Sequence, residues 1–424
     1  MEDRIYCCID LKSFYASVEC VERGLDPFKA NLVVADPDRG KGTVCLAVSP
    51  ALKALGVKNR CRVFEIPNSI EYIIAKPRMK LYIDKSAEIY SIYLRYIAAE
   101  DIHVYSIDEV FIDITDYLVL YKKTAKTLAR LLIDEVFAAT GVRATVGIGT
   151  NLFLAKVALD ITAKHADDFM GYLDVSAFKK TIWHHRPITD VWNVGRGIAV
   201  RLAKMGIFDL CGVAKCPEQV LYKQFGVNAE LLIDHANGIE PCTIADIHAY
   251  RSKSVSLSNG QVLFSDYSFD DGLIVLKEMV EQLVLELVEK NLVTDSISLS
   301  VLFADRSAKS VGGTEKLSEY TSSVKKLIKY FTDYYTKKVP KTALIRKINV
   351  GLNDLIDEAF ITRDLLTDSE KLDKERDLQR TVVGLKHKYG KNAILFGTSY
   401  NKRATGRDRN KLIGGHNGGE DDKT

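Results

Sequence analysis

The sequence lacks the features that would mark an exported, disulfide-stapled or membrane protein. Its eight cysteines, at positions 7, 8, 20, 45, 61, 211, 216 and 242, form no C-x-x-C pair and keep no regular spacing. That argues against a structural zinc module and a disulfide framework, and leaves reduced thiols. No uncharged apolar run approaches the roughly 18 residues of a membrane span. The opening MEDRIYCC has no basic segment followed by a long apolar core, so a soluble, cytoplasmic protein is expected. A strong charge of either sign is missing too. A formal net charge of +3 over 424 residues does not mark the whole surface as a polyanion binder, and any nucleic-acid contact must come from local patches. No internal repeat is evident. What is present is ample apolar material, 47% of the chain, enough for several cores and about three domains at roughly 150 residues each.

Two stretches carry the chemistry. The first, Ile5 to Glu19, reads IYCCIDLKSFYASVE. A β-prone run ends at Asp10, and from Ser13 the residues Phe14, Val18 and Val21 recur at helical spacing. A carboxylate at a strand end, beside the free N–H groups of a helix start, can hold a metal ion next to a phosphate. Taken alone, Asp10 reads equally well as an exposed cap. The second stretch, His103 to Thr115, alternates as a strand or hairpin does, yet carries Asp108 and Glu109 side by side. Adjacent carboxylates in a β-rich run are costly unless they form a hairpin tip or a cation neutralises them. If the two stretches pair in one sheet, Asp10, Asp108 and Glu109 make a hard-oxygen cluster that suits Mg²⁺ better than zinc.

The motifs D-x-x-x-F-Y-A-S-V-E (Asp10 to Glu19) and S-I-D-E (Ser106 to Glu109) resemble, in order and spacing, the palm signature of Y-family translesion DNA polymerases. A-L-K-A-L-G-V (Ala51 to Val57), G-I-G-T-N-L-F-L-A-K (Gly147 to Lys156) and R-N-K-L-I-G-G-H (Arg409 to His416) are similar to the UmuC branch. The resemblance runs from Ile5 to about His416. It implies an α+β, multidomain right-hand polymerase with a ferredoxin-like palm (1–24 and 81–177) and small fingers (25–80). A helical thumb with a helix-hairpin-helix (178–245), a β-α-β-β-α-β little finger (248–353) and a tail (354–424) would complete it.

The local patterns can be set beside that plan. Leu32 to Ala35 and Thr43 to Val48 read as strands around a Gly-rich turn, with a short helix from Pro50. Helical spacing recurs over Ala87 to Ala99, Lys122 to Ala139 and Asn151 to Thr162, with a strand at Val142 to Ile148. Asp190 to Ile207 resembles a helix-hairpin-helix whose Gly195 and Gly197 would open the backbone to a DNA phosphate, although a plain αα-hairpin fits as well and Trp192 reads as core. Tyr250 to Gly260, Ser296 to Phe303, Ser307 to Lys316 and Arg346 to Leu352 read as strands, and Leu273 to Lys290 and Thr321 to Lys337 as helices. The basic residues of the last helix, Lys325 and Lys326 first, are either a phosphate-binding row or simply its solvated face. Asp368 to Tyr389 reads as a helix in the tail, and the chain ends in the acidic GGEDDKT.

The resemblance further implies a template-directed nucleotidyl transfer from dNTP to a primer 3′-OH in DNA repair and the SOS response. Asp10, Asp108, Glu109 and the Leu11 carbonyl would hold two Mg²⁺ ions. Phe14, Tyr15, Lys53 and Lys156 would meet the nucleotide, with Tyr15 a steric gate against a 2′-OH and the two lysines against phosphates. Arg201 would join the DNA contacts. Pro50 stands where many members carry tyrosine. Primer-template DNA is the implied partner, with a sliding clamp and a recombinase filament as further candidates; Asp357 to Phe360 stands where relatives carry a clamp-binding peptide. A nucleotidyl cyclase on the same palm, or an accessory subunit of a mutagenesis complex, are the competing readings.

Overall fold

The computed structural model describes residues 4–252, 255–305, 307–361 and 369–419. The chain divides into two compact units, one formed by residues 1–250 with 416–424 and the other by residues 251–415. The first unit contains β1 (Tyr6–Leu11), α1 (Phe14–Val21), β2 (Leu32–Val34), β3 (Ala47–Val48), α2 (Pro50–Ala54), β4 (Ile73–Ala75), α3 (Met79–Tyr93), β5 (Ile102–Val104), β6 (Glu109–Asp113), α4 (Thr115–Leu120), α5 (Ala125–Thr140), β7 (Ala144–Gly149), α6 (Leu152–Val157) and β8 (Met170–Leu173).

The run of β-prone residues before Asp10 becomes the centre of a five-stranded sheet ordered β5-β6-β1-β7-β8. β1 is antiparallel to both neighbours. Without the edge strand β8, the order and the two helical crossovers are those of the ferredoxin-like plan. Alternation along β1 sets the layers. Cys7, Ile9 and Leu11 pack with Ile89, Ile92, Leu132 and Val136 of α3 and α5. Tyr6 and Cys8 pack on the opposite face with Leu152, Ala155 and Leu159. The three short strands β3-β2-β4 form a separate small sheet with its own apolar cluster around Val33, Val48 and Leu52.

The glycines of G-I-G-T-N let α6 descend onto the sheet. A Cβ at Gly147 would lie 2.2 Å from the Ala155 carbonyl oxygen and the Leu159 nitrogen, and one at Gly149 would lie 2.2 Å from the Ala155 nitrogen. These are backbone atoms and have no rotamer to yield. Beyond Val157 the helix continues as a single π-type turn, Ala158–Thr162, a local irregularity that is frequent at functional sites.

Six further helices complete the unit: α7 (Val175–Thr181), α8 (Arg196–Lys204), α9 (Leu210–Lys215), α10 (Glu218–Phe225), α11 (Asn228–Asn237) and α12 (Ile244–Ala249). Phe178, Leu202, Leu210, Leu221 and Ala229 share one apolar cluster.

The second unit has β9 (Leu257–Tyr267), α13 (Phe269–Glu289), β10 (Leu292–Phe303), β11 (Val311–Thr321), α14 (Val324–Lys338), β12 (Ile345–Asn353) and α15 (Ser369–Tyr389). Its antiparallel sheet is ordered β11-β10-β12-β9, and both α13 and α14 bury their apolar stripes against it. The tail is not free. Glu278 of α13 accepts hydrogen bonds from the Thr405 and Gly406 N–H groups at 2.8 and 2.9 Å. Arg409 donates to Gln261 at 2.8 Å and Asn259 at 2.7 Å on β9.

Several boundaries moved. α3 begins at Met79 rather than Ala87, the helix expected over Lys122 to Ala139 is α5 and starts at Ala125, and α4 precedes it as a separate short helix ended before Lys122 at φ 49°. Of the strand expected from Tyr250, residues 253 and 254 lie outside the described residues, as do Asp368 and residues 420–424 of the acidic end.

Gly147→Ala is expected to lower stability by about 1–3 kcal/mol or more, because an added methyl overpacks against unyielding backbone. Urea unfolding followed by circular dichroism measures it; an unchanged midpoint would contradict the close-approach argument.

Candidate active site at the ends of two paired strands

Asp10 is the penultimate residue of β1 and Glu109 begins β6, and the antiparallel register makes them direct partners. Alternation puts Cys8, Asp10 and Glu109 on the face that carries α6. Asp108 sits one residue before β6, at the hairpin turn, where Ser106 Oγ donates to its carboxylate at 2.7 Å. The Leu11 N–H donates to the Asp108 carbonyl at 2.9 Å. The Asp108 N–H turns instead to Ser106 Oγ at 3.3 Å, which takes the Leu11 carbonyl out of the ladder at this point.

The three carboxylates do not close into a cage. Among the described residues no three His, Cys, Asp or Glu side chains are gathered as a ready metal site. The strands pair as anticipated, and the carboxylates are held by lysine, thiol and hydroxyl partners. Glu109, 8% exposed, takes Lys156 Nζ at 2.6 Å and the Cys8 thiol at 3.1 Å on Oε1. Asp10 lies 3.7 Å from Lys164 Nζ. Asp160, in the π-type turn, joins the two lysines, at 3.1 Å from Lys156 and 2.8 Å from Lys164.

The electrostatics show what this arrangement costs. Burial, with Asp108 and Glu109 adding to it, pushes the Asp10 carboxyl up to about 6 despite Lys164 and Lys156. Burial opposes the Lys156 charge, but Cys8, Glu109 and Asp160 together outweigh it and hold the ammonium above its usual range. Lys164 is raised in the same way by Asp10 and Asp160. A site where negative charge accumulates at one aspartate, among oxygen donors only, fits a hard divalent cation.

Asp10, Leu11, Asp108 and Glu109 come together. Tyr15 is half-buried beside them; burial and then Asp108 raise its phenol, and its ring stacks on Tyr82 with centroids 4.4 Å apart. Lys53 is exposed on α2; surrounding protein lowers its ammonium, Asp10 pulls against that, and Lys164 and Lys12 add to it. Lys156 is buried and paired with Glu109 and Asp160. The ring of Phe14 is in the core, and only its backbone N–H can serve a nucleotide.

Further out, Gly195 and Gly197 are exposed, and a Cβ on either would meet nothing within 4 Å. The protein itself therefore does not require glycine there. The first helix of the expected helix-hairpin-helix is only a 3₁₀ turn, Ile188–Asp190. Arg201 is folded onto its own neighbours, donating to the Gln224 carbonyl at 3.2 Å and lying 4.4 Å over the Phe225 ring. In the second unit Lys326 is paired with Glu319 at 2.7 Å, whereas Lys325 is exposed with no ionic partner among the described residues. Trp192 does pack as core, against Phe111 and His235.

Sequence reasoning missed Lys12, Lys164 and Asp160. Lys12 follows Asp10 closely enough to have been noticed. Lys164 had no legible signal, because a regular helix from Asn151 would place it differently; the π-type turn brings it to Asp10.

Family comparisons agree with this geometry. Residues 9–160 match the impB/mucB/samB family model, and residues 254–365 match that family's C-terminal domain. The chain belongs to the impB/mucB/samB family. This places it in the UmuC-like branch of the Y-family DNA polymerases. The putative UV-damage repair protein UvrX of Bacillus subtilis (strain 168) is 31% identical, over 96% of this chain and 96% of that protein. DNA polymerase IV 2 of the same organism is 29% identical over 98% and 99%. A solved structure of a Y-family DNA polymerase chimera, at 21% identity, shares the fold with a TM-score of 0.63 over 83% of this chain and 99% of that one. This Y-family chain is divalent-metal dependent by family, and no helix among its described residues is long and apolar enough to cross a membrane.

The sign of the Asp10 shift gives a test on metal-free protein. A carboxyl raised from 3.8 to about 6 stabilises the fold fully only below its unfolded value, and that contribution is lost as pH rises through about 6. Asp10→Asn is therefore expected to be more stable than wild type by on the order of 2–3 kcal/mol at about pH 7.5, with the gain gone by about pH 4. Urea midpoints at the two pH values decide it; a gain independent of pH would contradict the burial of Asp10 charge.

Proposed function

We propose that this DNA polymerase of the translesion type adds dNTPs to a primer 3′-OH at the ends of β1 and β6, on templates that include damaged bases. The observation that carries the proposal is the register setting Asp10 against Glu109, with Asp108 beside them and lysines around them. Asp10, Asp108, Glu109 and the Leu11 carbonyl would hold two Mg²⁺ ions. Bound there, such ions lower the pKa of the 3′-OH and neutralise charge on the β/γ-phosphates and leaving pyrophosphate.

The chain's own residues supply the rest. Lys156 keeps the Glu109 carboxylate aimed through their 2.6 Å ion pair. Lys164, Lys12 and Lys53 ring Asp10 and receive the triphosphate. The start of α1 adds the Phe14 and Tyr15 N–H groups. The Tyr15 ring stands where a 2′-OH would project and excludes ribonucleotides. No side chain acts as a nucleophile.

In this reading residues 1–24 and 81–177 are the palm, 25–80 the fingers, 178–245 the thumb and 248–353 the little finger, with 354–424 the tail. Gly195 and Gly197 offer open backbone to a DNA phosphate, and Lys325 a free ammonium. Phe360, 80% exposed at the end of Asp357 to Phe360, is the side chain a sliding clamp would take. A recombinase filament is a further partner.

Primer extension across an abasic site with purified protein and Mg²⁺ tests the reading. Wild type is expected to extend and Asp108→Ala to fail, while Tyr15→Ala raises ribonucleotide insertion. Extension that survives Asp108→Ala would overturn the site. Activity only after adding clamp or recombinase filament would assign the chain to a partner-dependent complex.

A further inference from the structure

Glu19 is fully buried, at 0% exposure, in a helix that otherwise buries apolar and small side chains. A buried carboxylate is retained only where its partners offset the loss of water, and Glu19 has three. Arg78 forks onto it with Nε to Oε1 at 2.9 Å and Nη2 to Oε2 at 2.8 Å. The Tyr82 phenol donates to Oε1 at 2.7 Å. Arg23, four residues on and just past the end of α1, closes the set. Burial alone would raise the carboxyl; the hydrogen bonds from Arg78, Arg23 and Tyr82 reverse that and hold it below its ordinary value.

The network has a consequence at the other face of Tyr82. That ring is itself 0% exposed, and it lies almost parallel to Tyr15, at an interplanar angle of 16° and a centroid distance of 4.4 Å. Tyr15 thus has a rigid aromatic wall behind it. The wall is pinned at its hydroxyl end by a charge-assisted bond to a carboxylate that two arginines hold. A tyrosine without such a backing can turn about χ1 and χ2 at little cost, and a ring that turns aside no longer fills the space it blocks.

We infer that Tyr82, fixed by Glu19 and Arg78, is a positioning residue that sets sugar discrimination by holding the Tyr15 ring in place. This rests on the proposed role of Tyr15 as the gate against a 2′-OH. Tyr82 touches neither nucleotide nor metal. Its effect passes through ring stacking alone, so the ring matters more than the hydroxyl.

Single-nucleotide insertion by the full chain, with dNTP and rNTP compared as kcat/KM, provides the test. Tyr82→Leu is expected to raise relative rNTP use by about tenfold, the scale of a lost steric contact. The kcat for the correct dNTP should stay within about twofold, since a positioning defect acts on the rejected sugar rather than on the accepted one. Tyr82→Phe, which keeps the ring, should restore most of the discrimination. Glu19→Gln, which keeps the volume and loosens the pin, should fall between them and serves as the reading if Tyr82→Leu does not fold. Tyr15→Ala separates the failures. If it leaves discrimination unchanged, the gate reading falls and this inference with it. If it abolishes discrimination while Tyr82→Leu and Glu19→Gln match wild type, the gate stands and the inference is overturned.

Discussion

A like-charged pair set face to face across an antiparallel ladder is the constraint on which this structure turns. Asp10 and Glu109 occupy such a pair, and sheets disfavour it unless something nearby takes up the charge. The surrounding architecture does that. Gly147 and Gly149 allow α6 to lie against the sheet, and that descent delivers Lys156 to Glu109. The π-type turn that follows delivers Asp160 and Lys164, so positive charge reaches both carboxylates from one connected segment. Even so, burial keeps the Asp10 carboxyl raised to about 6, and a divalent cation is the natural remedy.

Departures from ideal local structure gather around this point. Ser13 caps α1 in the left-handed region at φ 51°, unusual for a residue with a side chain, and its buried hydroxyl has no hydrogen-bond partner. The π-type turn lies on the opposite flank. Strain of this kind persists where the surroundings over-determine it, and it concentrates at functional sites. Behind the site the structure is regular and firmly packed, with Glu19, Arg78 and Tyr82 tying α1 to α3. In the second unit, two of the five α14 lysines, Lys326 and Lys329, are paired with Glu319 and Asp333.

Much of the fold was legible because its signals were periodic. The strand ending at Asp10, the hairpin with Asp108 and Glu109 near its tip, and the β-α-β-β-α-β order of the second unit all follow from alternation and helical spacing. The adjacency of Asp10 and Glu109 followed from adjacent carboxylates needing a reason to exist. Three kinds of information were hidden. The role of Lys156 could not be read, since a lysine one turn into a helix looks the same whether it faces solvent or an internal carboxylate. Lys164 depended on a turn with no sequence code. Arg201 and Lys326 have the right charge for nucleic acid, but their internal partners, the Gln224 carbonyl and Glu319, are distant enough in sequence that only folding reveals them. The Arg409 motif stood out by resemblance, and its visible work is to anchor the tail to β9.

Catalysis at the paired strand ends requires that they bind a divalent cation together with a nucleotide. Mn²⁺ binding in the presence of a non-hydrolysable dNTP analogue, followed by electron paramagnetic resonance, addresses this directly. Wild type should bind Mn²⁺ cooperatively with the analogue, and Asp10→Asn and Asp108→Asn should each lose that binding while remaining folded. Binding retained in both variants would place the cation elsewhere and contradict the account.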